Sequence, residues 1–343
     1  MLHIFFLVVK LLGLILLSLT HRNKVHGKFM SNIGRCDVSE GNWIFDMHYP
    51  LYDIKQCPFV EKIFSCQNNG RPDNFYPKFR WQPKGCEISS FDGRQFLSKH
   101  RGKDIMFVGD SLSLNQWQSL TCMLHVAVPE ANYTVQRNSQ LSTFTFPDYN
   151  ISIMLERNAF LVDLVMEGND TRVMKLDSLT SSLRWEHMDV LIFDSWHWWL
   201  HNGRKQPWDF VEYGKTRVKD IDRLVAYEKA LTTWAKWVDS SVDVAKTKVF
   251  FQGISPDHDA CEGRQGPLKT AGVSPPSEVV LERILNNMSA QVYLLNINRM
   301  SQYRADGHPS FYGLGGHNGD DCTHWCLPGV PDTWNLILLS FLV

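Results

Sequence analysis

The chain of 343 residues has no excess of charge of either sign: 35 lysines and arginines stand against 36 acidic residues. Nucleic-acid binding needs a basic stripe or face, so this balance excludes a nucleic acid as the expected partner. No internal repeat or low-complexity tract interrupts the sequence. The one histidine pair at metal-protease spacing, His197 and His201 in HWWLH, lacks the glutamate that such a zinc motif requires, so packing or substrate contact is the better reading. Between Cys36 and Cys86 no periodic helix or strand of useful length is evident. A segment of that kind cannot hold itself by core burial and needs cross-links.

What is present is a 44% hydrophobic chain with 12 tryptophans, long enough for one large α/β domain with an appendage. Indoles fill cores and also stack on sugar faces, so the tryptophan count fits a carbohydrate-handling protein. An apolar run from Ile4 to Leu19, broken only by Lys10, is followed by His21, Arg22 and Lys24. It is long for a signal-peptide core and short for a bilayer span of about 20 residues, and fits either a cleaved signal or a type II anchor. Both routes lead to the secretory lumen. Four sequons, at Asn132, Asn150, Asn169 and Asn287, agree with that compartment and mark glycosylation candidates. So does the even set of eight cysteines, Cys36, Cys57, Cys66, Cys86, Cys122, Cys261, Cys322 and Cys326, which allows up to four disulfides, some tying the front of the chain to its back.

After Cys86 short apolar runs at 104–108, 190–193, 248–251 and 292–297 end in polar or glycine residues, as strands buried on both faces do. Helical patterns lie between them at 113–125, 219–239 and 278–288. The alternation predicts a parallel sheet covered on both faces, with a more β-like insert at 133–175.

The segment IMFVGDSLSLNQWQSL, 105–120, runs a buried strand into Gly109-Asp110-Ser111 and then into a helix. That handover exposes a side chain at the carboxyl edge of the sheet, where the helix amino terminus stabilises developing negative charge. Ser111 is therefore the nucleophile candidate, its base expected in GDDCTHWCLPGVPDTWN, 319–335. Asp321 and His324, three apart, fall on one face of a turn, and the carboxylate can fix the imidazole tautomer while the other ring nitrogen meets the serine. Ser111 itself and Asn115 are the oxyanion candidates, although Asn115 equally suits a helix cap. Zinc bound by Cys322, His324 and Cys326 is disfavoured in a compartment where thiols oxidise, so no metal is expected. Trp196, His197, Trp198, Trp199 and Arg204, in a tryptophan-dense stretch after a strand end, are expected to border the same rim as a sugar-binding wall.

VGDSLSLNQW and DCTHWCLPGVPDTWN, with the cysteine-rich front and WHWW between them, resemble the plant trichome birefringence-like proteins, from Cys36 to the carboxyl end. The resemblance implies a signal peptide or type II signal-anchor over 1–27, a cysteine-rich amino-terminal domain over 35–88 and a PC-esterase domain over 89–343. It further implies an SGNH-hydrolase-like three-layer α/β/α fold and a Ser111, Asp321, His324 triad. Disulfides would join Cys36 to Cys86, Cys57 to Cys122, Cys66 to Cys326 and Cys261 to Cys322. The implied activity is O-acetylation of a cell-wall polysaccharide such as pectin or a hemicellulose, by a protein at the Golgi membrane or secreted to the wall. No bound cofactor is implied. The acetyl donor would be acetyl-CoA or an acetyl group relayed by a membrane transporter. Wall deacetylation and non-catalytic pectin binding are the other activities the family suggests. Two positions depart from its pattern: many members carry Arg where this chain has Leu114, which weakens any carry-over of xylan as substrate, and Asp194 stands where related hydrolases place an oxyanion-binding Asn. An ionised carboxylate there would oppose an oxyanion.

Overall fold

The computed structural model describes residues 32–33, 36–88, 90–313 and 320–342, so the apolar leader expected over 1–27 lies outside the described residues. Among the described residues no helix is long and apolar enough to cross a membrane.

In the front segment, β1 (Asn32–Ile33) and β2 (Cys36–Asp37) form a minimal antiparallel pair. The strands β3 (Gly41–Phe45) and β4 (Phe79–Pro83) form a larger one, with Trp43 opposite Trp81. This corrects the expectation that the segment holds no useful strand: the partners sit at its two ends, so no hairpin turn signals them. Three short 3-10 turns fill the interval. All eight cysteines are paired, Cys36–Cys86, Cys57–Cys122, Cys66–Cys326 and Cys261–Cys322, which is the pattern the resemblance implied.

The larger part begins with α1 (Gly93–Lys99), β5 (Asp104–Gly109) and α2 (Ser111–Ala127). It continues through β6 (Thr134–Arg137), β7 (Leu141–Phe146), β8 (Ile151–Arg157), β9 (Asp163–Glu167), β10 (Thr171–Lys175) and β11 (Val190–Phe193). Then come β12 (Phe210–Tyr213), β13 (Thr216–Val218), α3 (Arg223–Ser241), β14 (Lys248–Gln252), α4 (Pro276–Asn287), β15 (Val292–Leu295), α5 (Asn298–Gln302) and α6 (Val330–Leu342). Seven strands make one sheet in the order β15-β14-β11-β5-β8-β7-β6, and four more form a side sheet, β13-β12-β10-β9. From β15 to β8 the pairing is parallel, and β7 and β6 extend the edge antiparallel.

The three layers follow from strand alternation. In β5, Ile105 and Phe107 face one core together with Trp117 of α2 and Trp334 of α6, whereas Met106 and Val108 face the other with Trp234 of α3 and Leu281 of α4. The tryptophans of α3 pack inward, Trp234 against Phe193 and Phe251 and Trp237 against Trp185. The stretch read as an insert supplies β6, β7 and β8 to the main sheet, with β8 the parallel neighbour of β5, and β9 and β10 to the side sheet. Helix α6 was not foreseen. It is buried on nearly every side, which erases the 3.6-residue apolar stripe that would reveal it.

Candidate functional site

Strand β5 ends at Gly109 because nothing larger fits. A Cβ there would lie 2.3 Å from Ser113 Oγ and 2.6 Å from the backbone oxygen of Asp194, the residue that follows neighbouring β11. Asp110 caps the next helix: it is extended at φ −92°, and its Oδ1 accepts the N–H of Leu112 at 2.8 Å. Ser111 is thus the first residue of α2, held at the positive end of a helix of 17 residues.

The partner loop arrives from the far end of the chain. Asp321 pairs with Ser310 through two backbone hydrogen bonds, and its Oδ1 accepts the N–H of His324 at 3.0 Å, fixing a tight turn. Its Oδ2 takes the Nδ1 proton of His324 at 2.8 Å, which leaves Nε2 bare to accept from Ser111 Oγ at 2.7 Å. The Asp321 carboxyl is raised by burial, but the His324 ring and the N–H groups of His324 and Thr323 outweigh that and hold it at about 2. The structure therefore brings Ser111, His324 and Asp321 into one proton-relay geometry, with His324 buried at 9% exposure.

Asn115 has a different task from the one its sequence position suggested. Its Nδ2 donates to the carbonyl of Trp325 at 3.1 Å, its Oδ1 accepts the Trp325 N–H at 2.7 Å, and the side chain is wholly buried. Both ends of the amide are spent, so it cannot serve an oxyanion; it latches the His324 loop to the Ser111 helix. The disulfides Cys261–Cys322 and Cys66–Cys326 pin the same loop on either side of His324, and each takes one of the cysteines once weighed as zinc ligands.

Asp194 stands at the end of β11, its Oδ2 within 3.4 Å of Ser113 Oγ. Burial first, then the neighbouring Asp110 carboxylate, push its pKa well up, which favours its neutral form over the opposing charge expected from sequence. Asp110 takes the charge of the pair: burial raises its pKa, but His197, the nearby Asp194 carboxyl and the Leu112 N–H hold it at about 2, below the usual carboxylate range. His197 is 3.8 Å from Asp110 Oδ2 and 3.6 Å from Asp257 Oδ1, ion-pair distances without hydrogen-bond contact. Burial alone would lower its pKa; Asp110, Asp257 and Asp194 raise it to about 9. His197, Asp110 and Asp194 therefore form one charge-coupled trio at the start of the Ser111 helix.

Ser111 opens into a cavity of about 560 Å³ whose other walls include Arg157, Asn158, Arg184 and Trp198. Trp198 is 40% exposed there, whereas Arg184 is gripped by buried Glu156 through two hydrogen bonds. A second cavity, about 530 Å³, lies on the other side of the 197–200 turn, against Trp196, His197, Asp257 and His258. The expected sugar wall is thus divided. Trp198 faces the serine, and Trp196 and His197 face the second cavity. Trp199 lies in the core against Phe160 and Trp208, and exposed Arg204 borders neither cavity. Leu114 is core as well, at 4% exposure. Arg157, Asn158 and Arg184 escaped sequence reasoning, since the parallel placement of β8 beside β5 delivers the first two and only that pairing reveals them.

With this geometry in view, the likeness to known proteins is informative. Residues 88–341 match the GDSL/SGNH-like acyl-esterase family found in Pmr5 and Cas1p, and 34–87 match the PMR5 N terminal domain. Trichome birefringence-like 43 of Arabidopsis thaliana is 54% identical over 90% of this chain and 88% of its own. Trichome birefringence-like 41 of the same plant is 49% identical over 98% and 96%, and trichome birefringence-like 39 is 48% identical over 90% and 87%. The chain belongs to the trichome birefringence-like proteins, a PC-esterase family of SGNH-like fold and acyl-ester chemistry.

Proposed function

We propose that this protein transfers acetyl groups to hydroxyls of a plant cell-wall polysaccharide, pectin or a hemicellulose, through an acetyl-serine intermediate. The observation that carries the reading is the 2.7 Å contact between Ser111 Oγ and the bare Nε2 of His324, with Asp321 on the other ring nitrogen. In the first half, His324 Nε2 takes the Ser111 proton as Oγ attacks the acetyl carbonyl carbon. The tetrahedral oxyanion collapses, the donor's leaving group departs with the proton from His324, and acetyl stays on Ser111. In the second half a sugar hydroxyl yields its proton to Nε2 and attacks the acetyl-serine; collapse hands the acetyl to the sugar and the proton back to Ser111. Asp321 stays ionised and balances the imidazolium.

The amino-terminal N–H of α2 at Ser111 is the remaining oxyanion donor candidate, now that Asn115 is committed elsewhere. The exposed Trp198 face and the Arg157 and Arg184 guanidiniums suit a sugar chain lying in the first cavity. The donor is acetyl-CoA or an acetyl group relayed by a membrane transporter, and the site of action is the Golgi lumen, with the wall as the secreted alternative. All four sequon asparagines are exposed, as lumenal glycosylation requires.

The test is incubation of the purified protein with an acetyl donor and oligomers of xylan, pectin and mannan, followed by mass analysis. Gain of acetyl on one oligomer, absent in Ser111→Ala, supports transfer. Net loss of acetyl from acetylated oligomers assigns the same residues to hydrolysis, because water then replaces the sugar hydroxyl. Binding without any acetyl change would make the protein a polysaccharide-bridging one.

A further inference from the structure

Behind the His324 loop sits a pair of histidines that the reaction as written does not use. His308 is 1% exposed and stacks on the indole of Trp325 with ring centroids 4.0 Å apart. Its Nδ1 lies 2.6 Å from the backbone carbonyl oxygen of His324, and its Nε2 lies 2.7 Å from Nδ1 of His258. The other nitrogen of His258, Nε2, lies 3.0 Å from the carbonyl oxygen of Gln302. Carbonyl oxygens only accept, so His308 Nδ1 and His258 Nε2 must each carry a hydrogen, and the bond between the rings needs another. A neutral imidazole carries one N–H. The complete chain of three hydrogen bonds therefore holds one proton more than two neutral rings can supply.

Burial, and then the adjacent His258 ring, push His308 down to about 3, which makes its bare Nε2 the acceptor between the rings. His258 Nδ1–H then donates to the bare Nε2 of neutral His308. The segment carrying His258 is joined to the same loop a second time, its backbone N–H donating to the Cys322 carbonyl at 3.2 Å, three residues before the Cys261–Cys322 bridge. Asp321 favours and His324 opposes a charge on His308. Arg71 donates to the His308 carbonyl at 2.9 Å. The Arg304–Asp306 pair nearby is internally neutralised at 2.8 Å, and the Asp257 carboxylate beside His258 in sequence turns to His197.

We infer that His258 and His308 are positioning residues that clamp the His324 loop while they share their extra proton and slacken it when that proton leaves. Without it, two lone pairs face each other across 2.7 Å, or one ring turns and gives up a carbonyl. The clamp acts on the backbone of His324, so the Ser111–His324 contact tightens toward acidic pH and loosens toward alkaline pH. The inference deepens the acyl-transfer reading and rests on it for its consequence in catalysis, but the clamp itself is measurable without any activity.

The experiment uses the full protein with 15N-labelled histidines and follows ring N–H correlations and loop amide exchange from about pH 5 to about pH 8. Expected is one doubly protonated ring of the pair at the acidic end and two singly protonated rings at the alkaline end, with faster exchange at Thr323–Cys326 in step. His258→Asn, whose amide donates to His308 Nε2 without titrating, is expected to keep slow exchange throughout; His258→Leu is expected to exchange fast throughout. Singly protonated rings at both ends, or loop exchange in the unmodified protein that ignores the titration, would overturn the clamp. Turnover of an aryl acetate separates the two claims: His258→Leu should lower kcat about tenfold and His258→Asn should restore it with the alkaline decline removed. Absence of turnover in every form would count against acyl transfer and leave the ring measurement standing.

Discussion

At the scale of single residues, the account rests on Ser111, His324 and Asp321 acting as one unit. Ser111→Ala should lower acetyl turnover by at least about 10³-fold with little change in thermal unfolding, since the side chain contributes little to the core. Asp321→Asn should cost a comparable factor, because an amide cannot hold the Nδ1–H tautomer that leaves Nε2 bare. Asp321 is held at about 2, so its carboxylate persists above that pH and continues to hold the Nδ1–H of His324. Asp194 gives a sharper test. Its folded pKa is raised, so holding it neutral costs nothing below the ordinary carboxylate pKa and costs increasingly as pH rises above it. Asp194→Asn, neutral at every pH and still able to accept from Ser113, should keep activity within about threefold and raise the unfolding temperature more at neutral than at acidic pH. Loss of activity in that variant would mean the carboxylate is needed ionised. The meeting of Ser111, Asp321 and His324 was legible in the sequence, because local motifs encode them. The neutrality of Asp194 was hidden, since it depends on a carboxylate and an imidazole brought close by the ends of separate strands.

At the scale of elements, the precision of the site comes from the joint between α2 and the 320–326 loop. Asn115→Ala would strand the buried N–H and carbonyl of Trp325, a loss of about 2–4 kcal/mol in unfolding free energy by denaturant titration. It should lower kcat more than it raises KM, as a positioning defect does. Unchanged stability would contradict the latch. A buried asparagine four residues after a serine reads equally as cap, oxyanion donor or latch, and only the partner loop decides. The same limit applies to β8 and to α6. The parallel neighbour of β5 carries no sign of its partner in its own residues, and a helix buried on every side loses the periodicity that would mark it. Strands and helices that keep one exposed edge or stripe, such as α3, were legible from the pattern alone.

At the scale of the whole molecule, the amino-terminal segment is built into the PC-esterase domain. Cys57 bonds to α2, Cys66 to the residue two beyond His324, Tyr52 donates to buried Asp332, and Trp43 donates to the Met300 carbonyl. Replacing Cys66 and Cys326 together by serine opens a cross-link between residues 260 apart and should lower stability by up to about 5 kcal/mol, read as a reduced unfolding midpoint. Activity should fall with it, because that bond holds the loop as well as the fold. The overall α/β/α plan was readable from alternation, and the complete disulfide pairing of the cysteines agrees with their even count. The division of the aromatic stretch between core and two cavities was not, since burial depends on the side sheet that packs over it. The most direct test of acyl transfer is intact-mass and peptide analysis of the protein exposed briefly to an activated acetyl ester without acceptor. The account predicts one acetyl group, on Ser111, discharged when an accepting oligosaccharide is added and never formed in Ser111→Ala. Acetylated oligosaccharide produced at the normal rate by the Ser111→Ala protein would contradict it.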